Sequence, residues 1–289
     1  IVDHFNPKTI GISIVIALIA AGVVYGSYNF YLSLDRYGIQ NQILRAVDSE
    51  EDGNYVEAIN IRNEILTQEP ENTDNLFTLA SLYYTVHDYE KAVDAMQQYQ
   101  NLTDLDTDSN LLLGKTYLKL GSMEAAKTHL QAVLDNTSNH TEAQFLQGMI
   151  KATQKEEGTK ELLSKAANAG EANGQITAFY TTWQEAQNTE NENYADSLIT
   201  YGLLEANQPY LALELITPVV EVIPKYRDAH YLQAVAYYKT SQFELAKEAL
   251  EKALEIDEDH AASLELKELV EEELPPTPTP TMGEEAEQQ

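Results

Sequence analysis

Between Thr73 and Asp106 the chain reads TDNLFTLASLYYTVHDYEKAVDAMQQYQNLTDLD. Apolar residues recur there in two runs. Leu76, Leu79, Ala80, Leu82 and Tyr83 form the first; Tyr89, Ala92, Val93, Met96 and Tyr99 form the second, beyond a break at His87-Asp88. Their i, i+3, i+4, i+7 spacing predicts two helices, each with a single apolar stripe. Neither helix can bury its stripe alone, so the pattern requires neighbours.

Stepping the same pattern by 34 residues gives 39–72, 73–106 and 107–140 without a gap. A small residue recurs in the first helix (Ala46, Ala80, Gly114), and the break falls at Gly53, His87 and Gly121. A large residue follows (Tyr55, Tyr89, Met123), then alanine where the two helices cross (Ala58, Ala92, Ala126). Pro70, Asp104 and Ser138 hold the turn to the next unit. The register returns at 193–226 and 227–260, with Thr200 and Ala234 at the small position and Ala212 and Ala246 at the crossing.

A helix-pair period of 34 with these positions resembles the tetratricopeptide repeat (TPR) family. Units 73–106, 107–140 and 227–260 follow the family pattern, except that Leu76, Asn110 and His230 stand in place of its tryptophan. The resemblance implies an all-α fold, a TPR α-solenoid of helix-turn-helix repeats. Unit 39–72 carries Gln42 and Arg45 at core positions, as a capping repeat tolerates. Residues 141–192 hold one degenerate repeat, with Gly148 at the small position and Lys160 where alanine belongs, and 18 residues more. Within that excess, Gln175 to Asn188 predicts an added helix containing Phe179, Tyr180 and the single tryptophan, Trp183. Residues 261–274 predict an amphipathic capping helix, and the Pro/Thr and acidic tail at 275–289 is expected to be disordered.

A different pattern precedes the repeats. After a short polar N-terminus (1–9), the chain carries no charge from Thr9 to Leu34, between Lys8 and Asp35. An apolar run of about 20 residues is long enough to cross a bilayer as a helix, so residues 10–34 predict a single transmembrane-type helix, followed by a joint at 35–38. Gly22 and Gly26 form a GxxxG, and Ser13, Ala17 and Ala21 extend the small residues at spacing four. Such a strip favours helix–helix association. The reading is a single-pass membrane protein with its C-terminal domain extracytoplasmic. An apolar helix ahead of a folded head also suits a subunit of a pilus-like filament.

Composition narrows the function. Net charge is -29, from 47 acidic and 18 basic residues, a field that repels nucleic acid. There is no cysteine, which excludes disulfides and thiolate chemistry. The six histidines show no metal-ligand spacing. Asp104, Asp106 and Asp108 resemble the start of a calcium loop, but Ser109 and Lys115 occupy its glycine and glutamate positions. No phosphate-binding or nucleophile motif occurs. The expectation is a non-enzymatic scaffold without cofactor, metal or small-molecule substrate, engaging a protein partner or copies of itself. Three sequons begin at Asn101, Asn136 and Asn139.

The TPR resemblance implies a concave groove lined by first helices. Its candidate positions are Phe77, Ser81, Tyr84, Leu111, Lys115, Leu118, Tyr201, Tyr231, Val235 and Tyr238. Asp74, Asp108 and Asp228 stand where relatives that clamp a C-terminal carboxylate use basic or amide residues. The groove is therefore expected to take some other protein segment.

Overall fold

A single backbone turn, repeated six times, sets the architecture. Gly53, His87, Gly121, Lys155, Asn207 and Ser241 all adopt positive φ, between 53° and 75°. After each of them, the next amide donates to the carbonyl five residues back, as Asp88 does to Tyr83 at 2.9 Å and Gln208 to Leu203 at 2.8 Å. That pairing satisfies the orphan carbonyls of a helix end and reverses the chain within three residues. The computed structural model describes residues 7–170 and 173–274; at 7–20 and 30–36 it describes the backbone helix without side chains.

The six turns join α1 (Pro7–Glu51) to α2 (Tyr55–Gln68), α3 (Thr73–Thr85) to α4 (Tyr89–Leu102), and α5 (Thr107–Lys119) to α6 (Met123–Asn136). The fourth joins α7 (Thr141–Thr153) to α8 (Thr159–Asn168). No such turn joins the helix α9 (Gly174–Gln187), which takes up most of the 18 extra residues and packs against the helix that follows it. The last two turns join α10 (Glu192–Glu205) to α11 (Pro209–Val222) and α12 (Arg227–Lys239) to α13 (Phe243–Ile256), and α14 (Ala261–Glu273) ends the array. Among the described residues there is no strand. Small residues bring paired helices together: a Cβ on Gly114 would lie 2.8 Å from Leu130 Cγ, and one on Gly148 2.6 Å from Leu163 Cδ2.

The joint expected at 35–38 is absent, because α1 runs unbroken from Pro7 to Glu51. The change from uncharged to charged residues at Asp35 contains no proline, and the lone Gly38 does not end a helix that continues on both sides. Among the described residues, no helix is long and apolar enough to cross a membrane. Most of the expected span, including Ser13 and Ala17, has side chains outside the described residues, as do the polar N-terminus at 1–6 and the tail at 275–289.

The chain divides into two units, Ile1–Asp104 and Leu105–Gln289. In the first, Ile39, Ala46, Ile61 and Ile65 form a small apolar cluster. Beside it the buried Arg62 donates to Glu50 at 2.6 Å and to Asn75 Oδ1 at 3.1 Å, while Asn75 donates to the Arg62 carbonyl at 2.8 Å. One guanidinium therefore ties α2 to the helices before and after it. In the second unit, a continuous core runs from Leu118 to Ala236, and a smaller one around Leu250 and Val270 closes the end.

Candidate interaction surface

Groove positions recur at the fifth, ninth and twelfth residues of α3, α5, α7 and α12. In α3 these are Phe77, Ser81 and Tyr84, all half-buried. Phe77 lies against Tyr99 with ring centroids 6.2 Å apart, the Ser81 hydroxyl donates to the Phe77 carbonyl at 3.0 Å, and Tyr84 meets Tyr89 edge-on at 5.5 Å.

The second unit departs from the expected groove. Leu118 is only 3% exposed, Leu111 packs against the core, and Lys115 is paired with Glu142 at 2.8 Å. The corresponding residues of α7, Phe145, Met149 and Ala152, are all buried, and Phe145 meets Phe179 of α9 edge-on at 5.7 Å. The reason is α11. It packs against α5 and α7 as well as its sequence neighbours, and α10 also touches α7. Lys119 Nζ donates to the Asn207 carbonyl at 2.6 Å, and the Tyr210 ring lies over the backbone of Gly121. Leu118 is thus a core residue rather than a groove residue, lying against α11, while Leu111 is half-buried against the same core. What remains is a cleft of about 390 Å³ bounded by Leu118, Met123, Tyr210, Glu214 and Pro218.

Sequence reasoning missed this closure, yet α11 carries a signal for it. PYLALELITPVVEV is apolar except along the exposed stripe of Glu214, Pro218 and Glu221, and so wide an apolar surface marks a helix packed on several sides. A ladder of two open helices remains further on. Tyr201 of α10 is 53% exposed, and Tyr194, two turns earlier on the same stripe, is 45% exposed. On α12, Tyr231, Val235 and Tyr238 are half-buried; Tyr231 meets His260 edge-on at 5.4 Å and Tyr238 lies 5.8 Å from Phe243. In α1, Ala21, Gly22 and Gly26 are exposed, with nothing within 4 Å of a Cβ built on either glycine.

Electrostatics follow burial. Desolvation, with Lys239 and Lys115 nearby, lowers the Lys119 pKa to about 8. Desolvation also lowers that of His129, whose Nδ1 lies 3.0 Å from Asn110 Oδ1 and whose ring stacks on Tyr117. The Asp106 carboxylate is held below its usual range by the Ser109 hydroxyl and amide. It caps α5 in a reciprocal capping box, so this aspartate terminates a helix. No group of residues able to hold a metal occurs among the described residues.

Comparison with known proteins gives partial matches. Residues 51–133 match the family model for subunit 3 of the anaphase-promoting complex, or cyclosome, and residues 228–260 match the tetratricopeptide repeat model. No curated protein sequence matches significantly. Among solved structures, a tetratricopeptide repeat protein from Parabacteroides merdae ATCC 43184 is 14% identical, covers 81% of this chain and 98% of its own, and has a TM-score of 0.47. YrrB, described as a TPR protein with an unusual peptide-binding site, is 20% identical over 78% of this chain and 90% of its own, with a TM-score of 0.37. MamA is 14% identical over 77% and 93%, with a TM-score of 0.39. None of these scores reaches 0.5, so the assignment rests on the matched segments and on the chain's own register. Residues 51–133 and 228–260 carry tetratricopeptide-type repeats, set in an all-α array of helix pairs.

Proposed function

We propose that this chain is a membrane-anchored scaffold that binds protein segments on its repeat faces and performs no catalysis itself. The observation that carries the reading is α1. The helix whose C-terminal part forms the first repeat also presents Val23, Val24, Tyr25 and Tyr28 to solvent, each at least 59% exposed. No charged side chain accompanies them, because the run from Thr9 to Leu34 is uncharged. Leaving so much contiguous apolar surface in water is costly, and a bilayer offers the matching solvent. The proposed topology is single-pass, with the repeats extracytoplasmic.

Flotation with phosphatidylcholine vesicles tests the anchor. The full chain should float with lipid through a carbonate wash, and a chain lacking residues 10–34 should remain in the dense fraction. Recovery of the full chain in the dense fraction overturns the anchor. A second reading has its own support in the open strip at Ala21, Gly22 and Gly26: the helix packs on copies of itself in a filament. Lipid-free helical fibres seen by negative stain would select that reading.

A further inference from the structure

With α11 lying over α5 and α7, the open first-helix face of the second unit lies on α10, α12 and α14. These helices share one repeat phase, and α12 touches both of the others. Tyr194 and Tyr201 project from α10, Tyr231 and Tyr238 line α12, and Leu269 of α14 is 47% exposed. Glu265 is exposed and is the fifth residue of α14, the register position that Tyr231 holds in α12, which sets a carboxylate in phase with the aromatic row; burial, and then the Glu265 charge, raises the Tyr231 pKa. Glu205 ends the α10 stripe, and neither Glu205 nor Glu265 forms an ion pair among the described residues.

We infer that this tyrosine-lined, carboxylate-edged face docks a cationic, arginine-bearing segment of a partner protein. Residues 192–274 carry 18 acidic against 6 basic side chains, so an acidic occupant is repelled and a basic one is drawn in. Tyrosine rings accept a guanidinium over their faces, and unpaired carboxylates accept its N–H groups in bidentate pairs. The two groups together recognise arginine, whose planar cation both stacks and forks, better than a neutral apolar segment. The inference rests on the scaffold reading and names its partner class.

The test uses the full chain in nonionic detergent and two fluorescein-labelled 12-residue peptides of alanine and glycine, one with four arginines and one with four glutamates. Anisotropy should show binding of the arginine peptide alone. Tyr201→Ala combined with Glu265→Gln should weaken it by about tenfold, while Tyr201→Phe should leave it unchanged because the ring face survives. Glu244→Gln with Glu251→Gln, two exposed positions on α13, removes two carboxylates from another helix, against one in the first pair, and should still change binding less than about twofold. Equal weakening by the two double variants would identify a nonspecific polyanion and overturn the inference. Absence of arginine-peptide binding, or equal binding of the glutamate peptide, would also overturn it. None of these results bears on vesicle flotation, so the anchor and the docking face fail separately.

Discussion

Gly121 and Gly53 occupy the same place in the same turn, yet a methyl group would meet different surroundings at each. Both have positive φ, so alanine at either position costs about 1–2 kcal/mol of left-handed strain. At Gly53 the space is open, whereas at Gly121 the added Cβ would sit 2.8 Å from Tyr210 Cδ1 and 3.1 Å from its Cγ. Gly121→Ala should therefore lose about 1 kcal/mol more than Gly53→Ala in urea unfolding, the extra loss being an overpacking cost. Equal losses would mean that Tyr210 does not cover the turn. Ser241 adopts φ 58° in the sixth copy, and Ser241→Gly should gain up to about 1 kcal/mol by relieving the strain. Lys119 gives a pH signature. Its folded pKa of about 8 lies below the usual lysine value of 10.5, so the unfolded chain holds more protons between those values. Its contribution to stability must rise as pH increases from 8 to 10.5 and stay flat below 8. Competitive acetylation read by mass spectrometry should place the midpoint of Lys119 near 8, below the usual lysine value of 10.5. A midpoint above 10 would remove Lys119 from its buried setting.

The helices themselves differ in how far their packing can be read from local pattern. Their ends are legible because the reversing turn tolerates glycine, asparagine or a polar residue in a left-handed conformation, and the register carries that position from Gly53 to Ser241. The added helix is legible because Phe179 and Trp183 keep helical spacing within 18 residues that fit no repeat. The placement of α11 is not legible in the same way. Groove positions are assigned by assuming that every repeat stacks on the last by the same step, and α9 interrupts that step. Once the step is broken, which faces meet depends on non-local packing, and Leu118 changes from groove to core. Tyr201 of α10 stays 53% exposed, while Tyr231 and Tyr238 of α12 are half-buried against His260 and Phe243. The closure leaves α7 with 11 of 13 residues buried and neighbours on several sides. Hydrogen exchange should find the amides of residues 143–150 the slowest in the second unit, opening only with that unit as a whole. The terminal α14, with an unpaired outer face, should exchange fastest among its helices. Comparable rates in α7 and α14 would contradict the packing of α11 on α7.

At the scale of the molecule, two opposing terms set stability, the burial of apolar stripes and the mutual repulsion of a chain with net charge -29. The burial is unevenly shared. The unit Ile1–Asp104 closes the first repeat with the small cluster of Ile39, Ala46, Ile61 and Ile65, whereas Leu105–Gln289 has a continuous core reinforced by the α11 contacts. In repeat arrays stability is a sum of local and neighbour terms, so units with unequal interfaces need not melt together. The second unit also holds the single tryptophan, Trp183, which is 8% exposed and stacked on Tyr180 at 6.2 Å. Tryptophan fluorescence therefore reports that unit alone, while far-ultraviolet circular dichroism reports every helix. In urea, ellipticity should begin to fall before fluorescence changes, giving two transitions by dichroism and one by fluorescence. A fragment covering 105–274 should retain the later transition and lose the earlier one. Raising salt from 0.05 to 0.5 M, which shortens the screening length to a few ångströms, should move both midpoints upward, because acidic self-repulsion is weakened more than the few exposed ion pairs. Coincident curves from the two probes would show that the units unfold as one cooperative body, and a fall of the midpoints with salt would show that ion pairs outweigh the repulsion.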